Sequence, residues 1–122
     1  MKDKCVVALA DGIYEYSFVT KTFNKKAQIL KDNTLNRLND GKCAPDGAFW
    51  VGSMHNTAEK PTAALYSITS NFEVTKQVEN ITVSNGIAWS LDGTKMYYID
   101  TPTQKVVQYD YSQGKFQTLR IL

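Results

Sequence analysis

The chain is 122 residues long with a formal charge of +2, from 14 Lys and Arg against 12 Asp and Glu, and 43% hydrophobic residues. That is the composition of an ordinary globular domain. The longest basic run is Lys25-Lys26, which excludes the cationic stripe of a nucleic-acid binder. No apolar stretch approaches the roughly 20 residues of a membrane helix.

The elements expected in chain order are short strands separated by turn signals. Met1 to Lys4 is charged, and the apolar run Cys5 to Ala10 ends at Asp11-Gly12. This run is too short for the core of a signal peptide. A cytoplasmic location is therefore the default expectation, with a signal on an upstream segment left open. Ile13 to Phe18 alternates Tyr14 and Tyr16 with Glu15 and Ser17, the period of a half-buried strand. Residues 31–42 carry three Asn, two Asp and a Gly and read as loop. Strands are expected at 48–54, 63–69, 86–90, 95–99, 105–111 and 116–122. The segment 74–81 is read as strand rather than helix because of its β-branched residues.

Two segments repeat. Asp46-Gly47 precedes Phe49-Trp50-Val51, and Asp92-Gly93 precedes Met96-Tyr97-Tyr98-Ile99. An asparagine stands seven residues before each Asp, at Asn39 and Asn85, so the period is 46 residues. Units of about 40–50 residues with four short strands each signal the blades of a β-propeller. The expected fold is all-β, a partial six-bladed β-propeller of about 2.75 four-stranded antiparallel blades. The blades are placed at about residues 1–36 (partial), 37–82 and 83–122. A complete sandwich of ten or eleven strands is the alternative, but it does not account for the repeat.

In this arrangement Asn39 and Asn85 begin the innermost strands of their blades, which line the central channel. Their amide oxygens are hard neutral ligands suited to Ca²⁺. As members of Asn-Asp-Gly and Asn-Gly sequences they are equally good turn residues, and the spacing leaves both readings open. Asp40, Asp46 and Asp92 read as turn formers, His55 as a loop residue past a strand end, and Trp50 and Trp89 as packing residues. Cys5 and Cys43 read as two small buried hydrophobes, with a disulfide as the alternative.

The stretch Arg37-Leu38-Asn39-Asp40-Gly41-Lys42-Cys43-Ala44-Pro45-Asp46-Gly47-Ala48-Phe49-Trp50-Val51-Gly52-Ser53-Met54 resembles a signature of the regucalcin-like senescence marker protein/gluconolactonase/luciferin-regenerating-enzyme family. Ile81 to Ser90, with Ser84-Asn85-Gly86 at its centre, resembles a second. The resemblance is close over residues 35–122 and loose over 5–31. It implies metal-dependent hydrolysis of a sugar lactone, a small-molecule substrate. The metal it implies is a divalent ion in the channel, calcium with Zn²⁺ or Mn²⁺ as alternatives. It also implies Asn85 as a metal ligand, Arg37 and Asn39 as substrate contacts, and Asn39 as facing the metal too. The family's early Glu has no counterpart here, and its catalytic Asp is expected beyond Leu122, so no catalytic residue is expected within the chain. A sugar-contacting Glu of the family falls near Thr57, which leaves that contact absent or moved to Glu59. A non-catalytic propeller scaffold, or an inactive relative, is the alternative. The oligomeric state is left open.

Overall fold

Alternating side chains and tight polar turns divide the described residues into eleven strands. The computed structural model describes residues 2–112 and 115–122, with the side chains of 115–120 outside the description. The strands are β1 (Lys4–Ala8), β2 (Gly12–Ser17), β3 (Thr22–Gln28), β4 (Asn36–Cys43), β5 (Phe49–His55), β6 (Ala63–Ile68), β7 (Val74–Ile81), β8 (Ser84–Trp89), β9 (Lys95–Asp100), β10 (Lys105–Ser112) and β11 (Lys115–Ile121). The only helical element among the described residues is a single 3₁₀ turn, Thr101–Thr103.

The strands pair as antiparallel meanders in three sheets, β1-β2-β3, β4-β5-β6-β7 and β8-β9-β10-β11. The chain is all-β, and the sheets are blades of a β-propeller. Residues 36–43 form a strand rather than the loop their composition suggests. Pairing with β5 on one side, and packing on β8, override the local preference of Asn and Asp.

The middle blade is buried on both faces, and residue parity decides which neighbour each side chain meets. Trp50, Ala63, Leu65 and Ile81 join Met96, Tyr98 and Tyr111 of the third blade. Val51, Ala64, Tyr66 and Ile68 join Ile13 and Leu30 of the first. This explains why β5 and β6 are nearly continuous in small and apolar residues. Burial of each large side chain stabilises the packed state by roughly 1.5–3 kcal/mol.

Trp50 lies at the centre of the second interface. Its ring meets Trp89 at 6.0 Å and Tyr111 at 5.9 Å, both edge to face, so both tryptophans are packing residues. The Tyr111 hydroxyl donates to Asp46 Oδ2 at 2.9 Å, tying the third blade to the β4–β5 turn. Asp46 also accepts the Ala48 amide, and Asp92 accepts the Thr94 amide. Both act as turn formers. The cysteines depart from expectation, since Cys43 is exposed, Cys5 half-buried, and both are free. Cys43 is exposed together with Gly41 and Lys42 at the end of β4.

Candidate functional site

One end of the inner strands carries the polar residues singled out by sequence. The chain enters β4 through a turn closed by Asn33, whose Oδ1 accepts the amides of Leu35 and Asn36. Asn36 and Leu38 are buried, while Arg37 is exposed and Asn39 half-buried. Arg37 and Asn39 therefore share the outward side of the strand, as alternation requires. Arg37 Nη1 donates to Leu38 O at 3.2 Å and to Asn39 Oδ1 at 3.3 Å.

Asn39 and Asp40 then form a β-bulge. Leu38 pairs with Ser53 and Gly41 with Val51, so β4 has one more residue than β5 over this step. The same irregularity occurs in β8, where Ser84 pairs with Asp100 and Ile87 with Tyr98, leaving Asn85 and Gly86 in the bulge. Bulges re-aim side chains and are common beside functional sites. The 46-residue repeat of the asparagines is thus a repeat of bulges within strands rather than of turns between them.

The two bulges interlock across the blade interface. Asn39 Nδ2 donates to Ser84 O at 2.9 Å, and the Gly86 amide donates to Asp40 Oδ2 at 2.8 Å. These bonds grip the backbone on both sides of Asn85. Gly86 has φ +72, a conformation that glycine adopts without cost, and a Cβ there would meet Ile99 Cδ1 at 3.0 Å. Asn85 itself is exposed, and its Nδ2 donates to Thr101 Oγ1 at 3.3 Å. Arg37, Asn39 and Asn85 thus belong to one rim. Asp40, read from sequence as a turn former, instead braces the neighbouring blade from within β4.

The surrounding loops are held by Asn36, Asp100 and His55. Asn36, buried at the start of β4, donates from Nδ2 to Thr62 O and accepts at Oδ1 from Thr62 Oγ1. The Asp100 carboxylate accepts the amides of Thr82 and Val83, fixing the entry to β8. His55 is the buried last residue of β5 rather than a loop residue. Its Nδ1 accepts the Glu59 amide at 3.3 Å and lies 3.1 Å from Thr57 Oγ1, which organises the loop after β5. Only tertiary partners reveal these roles, because isolated Asn, Asp and His residues beside loops carry no pattern.

The donor set fits a hard cation in part. Asn85 spends its amide nitrogen on Thr101, which orients the side chain and leaves the oxygen as the atom a cation would use. At Asn39 the oxygen already faces the Arg37 guanidinium, and a cation there would have to displace it. Among the described residues no three His, Cys, Asp or Glu side chains come together as a metal cluster. The cleft lined by Asn36, Thr62, Tyr66, Lys76 and Glu79 involves the outer strand β7 and does not include this rim. No helix among the described residues is long and apolar enough to cross a membrane.

Three comparisons with known proteins bear on the family and fold of the chain. The description of an SMP-30/gluconolactonase/LRE-like region matches residues 1–120. A Bacillus subtilis protein named as a sugar lactone lactonase, YvrE, is 34% identical over 110 residues, covering 90% of this chain and 38% of that protein. Regucalcin of Xenopus laevis is 31% identical over 124 residues, covering 96% of this chain and 42% of its own length. The crystal structure of a calcium-binding protein, regucalcin, from Agrobacterium tumefaciens superposes with a TM-score of 0.94 at 28% identity, over 99% of this chain and 42% of that one. The chain therefore spans about two fifths of the length of these relatives.

Proposed function

The chain belongs to the SMP-30/gluconolactonase/LRE-like family, and on that premise we propose that it forms part of a metal-dependent hydrolase acting on a sugar lactone. The observation that supports this most directly is the pair of interlocked bulges, which brings Arg37, Asn39 and Asn85 to one rim of the inner strands.

A lactone offers a carbonyl oxygen, a ring oxygen and several hydroxyls. Arg37 supplies a fixed cationic donor to substrate oxygens through charge-assisted hydrogen bonds. Asn39, braced against Ser84 O and beside Arg37, keeps that donor in place and presents its own amide to a hydroxyl. Asn85 offers an amide oxygen as one ligand of a divalent ion, calcium in the first instance, with Zn²⁺ or Mn²⁺ as alternatives. When bound, such an ion polarises the lactone carbonyl and stabilises the charge that develops on it. The carboxylate that would activate water is assigned to no residue of this chain. Asp40 is a poor candidate, because its carboxylate is engaged by the Gly86 amide.

The test is gluconolactone hydrolysis by the complete protein, followed as acid release at controlled calcium. R37A should raise KM by about tenfold or more, the worth of one charge-assisted hydrogen bond. N85A should raise the calcium concentration needed for half-maximal activity by about tenfold or more. Unchanged kinetics in both variants would remove the rim from the reaction and leave a propeller that serves as a binding scaffold.

A further inference from the structure

Asn85-Gly86 is the only asparagine in the chain followed by glycine. This pair cyclises readily, because glycine puts no side chain in the way of the attacking nitrogen, and asparagine is a thermolabile residue. The Gly86 nitrogen loses its proton and attacks Asn85 Cγ. A carbon–nitrogen bond forms, the Cγ–Nδ2 bond breaks, and ammonia leaves. Water then opens the resulting succinimide at either carbonyl to give aspartate or isoaspartate. The balance is one water consumed for one ammonia released, with no oxidant or cofactor.

Asn85 is exposed, so water reaches it. Two contacts oppose the closure. The Gly86 N–H points at Asp40 Oδ2, 2.8 Å away. A proton donated to a carboxylate is held more strongly than one donated to water, and the negative charge opposes its loss. The Asn85 side chain is drawn toward Thr101 Oγ1, 3.3 Å from Nδ2. The bond from Asn39 to Ser84 O holds the backbone on the other side and opposes the turn that would bring Cγ over the nitrogen.

We propose that Asn85 is a latent deamidation site, kept intact by the Asp40 carboxylate of the neighbouring blade through its hold on the Gly86 amide. Conversion to aspartate places a negative charge on a rim position that is neutral in the intact chain. Conversion to isoaspartate lengthens the backbone inside the bulge, which breaks the register on which the contacts with Asn39 and Asp40 depend. The proposal stands whether or not the rim handles lactones.

The experiment incubates the complete protein at mildly alkaline pH, natively and in concentrated urea, and follows amide-to-carboxylate conversion at each asparagine of these residues by peptide mass spectrometry. Asn85 should convert at least about tenfold more slowly in the native chain than in urea, the effect of one charge-assisted hydrogen bond. Equal rates would overturn the proposal. D40A should raise the native rate at Asn85 by a similar factor relative to exposed Asn71, which serves as the internal reference. D40N retains a neutral acceptor and should fall between the two. If D40A merely loosened the fold, Asn71 and Asn85 would accelerate together, and that result would also overturn the proposal.

Discussion

Single atoms decide a close approach between the second and third blades. Gly52 lies in β5 against Ser84, and a Cβ built on it would fall 1.7 Å from Ser84 Oγ and 2.2 Å from Ser84 Cβ. Ser84 in turn accepts the hydroxyl of buried Tyr98 at 2.6 Å. Burial pushes the Tyr98 phenol well above its ordinary pKa, because no water remains to solvate the phenolate. G52A should therefore destabilise the protein by at least the roughly 1–3 kcal/mol of an overpacked core site, read as a lower urea midpoint. Adding S84G should restore part of the packing loss but leave the Tyr98 hydroxyl without its acceptor, at about 1–3 kcal/mol. A G52A midpoint equal to that of the parent would show that the two blades are not this closely packed. The need for glycine at 52 was not legible in the sequence, since its cause lies 32 positions away at Ser84. Arg37, Asn39 and Asn85 were legible, through the period of 46 and the two signatures.

Turns between strands carry their own electrostatics. Asp92 Oδ1 accepts the Ser90 hydroxyl at 2.6 Å, the Thr94 amide at 3.0 Å and the Thr94 hydroxyl at 2.8 Å. These donors, the Ser90 hydroxyl foremost, lower the carboxyl pKa from 3.8 to about 2. A carboxyl whose pKa is depressed on folding stabilises the native state above its unfolded value and loses that stabilisation as it becomes protonated. The β8–β9 turn should thus be fully braced above about pH 4 and released as pH falls toward about 2. Melting temperatures of parent and D92N should differ near neutral pH and converge across that window. A gap that stays constant down to pH 2 would exclude this role for Asp92. The turns at Asp46-Gly47 and Asp92-Gly93 were readable because turn chemistry is local. Strand β4 was not, because Asn39, Asp40 and Gly41 favour a turn locally and are drawn into the sheet by β5 and β8.

Blade-to-blade packing holds the molecule together. Trp50 is 0% exposed and touches aromatic rings of the third blade. W50A should cost about 3–5 kcal/mol, the range for truncating a buried aromatic, and should uncouple the second and third blades in urea unfolding. Unfolding indistinguishable from the parent would place the stabilising core elsewhere. The first blade presents Phe18 and Phe23 to solvent beside Tyr16, so its outer face has no packing partner among the described residues. By itself the 122-residue chain should neither bind calcium tightly nor turn over gluconolactone. Calcium takes about 6–8 oxygen ligands with carboxylates supplying much of the charge, while the rim offers neutral amides beside the Arg37 cation. Calorimetric titration with calcium, run beside a hydrolysis assay on proven monomer, checks this. Micromolar affinity or metal-dependent turnover would contradict it.

The sequence by itself determined the class of fold, the positions of the Asp-Gly turns, the 46-residue period and the residues that share a rim. The fold class, the turns, the period and the placing of Asn39 and Asn85 follow from alternation, turn chemistry and repetition, all of which act over a few residues or recur at fixed spacing, whereas Arg37 was singled out only through the family resemblance. Only the tertiary structure decided that the repeated asparagines sit in bulges, that Asp40 reaches Gly86, and that His55 is buried beneath its loop. Those facts depend on which strand lies beside which. Adjacent blades bring together groups dozens of residues apart, and the hydrogen bonds they make leave no periodic trace in the chain.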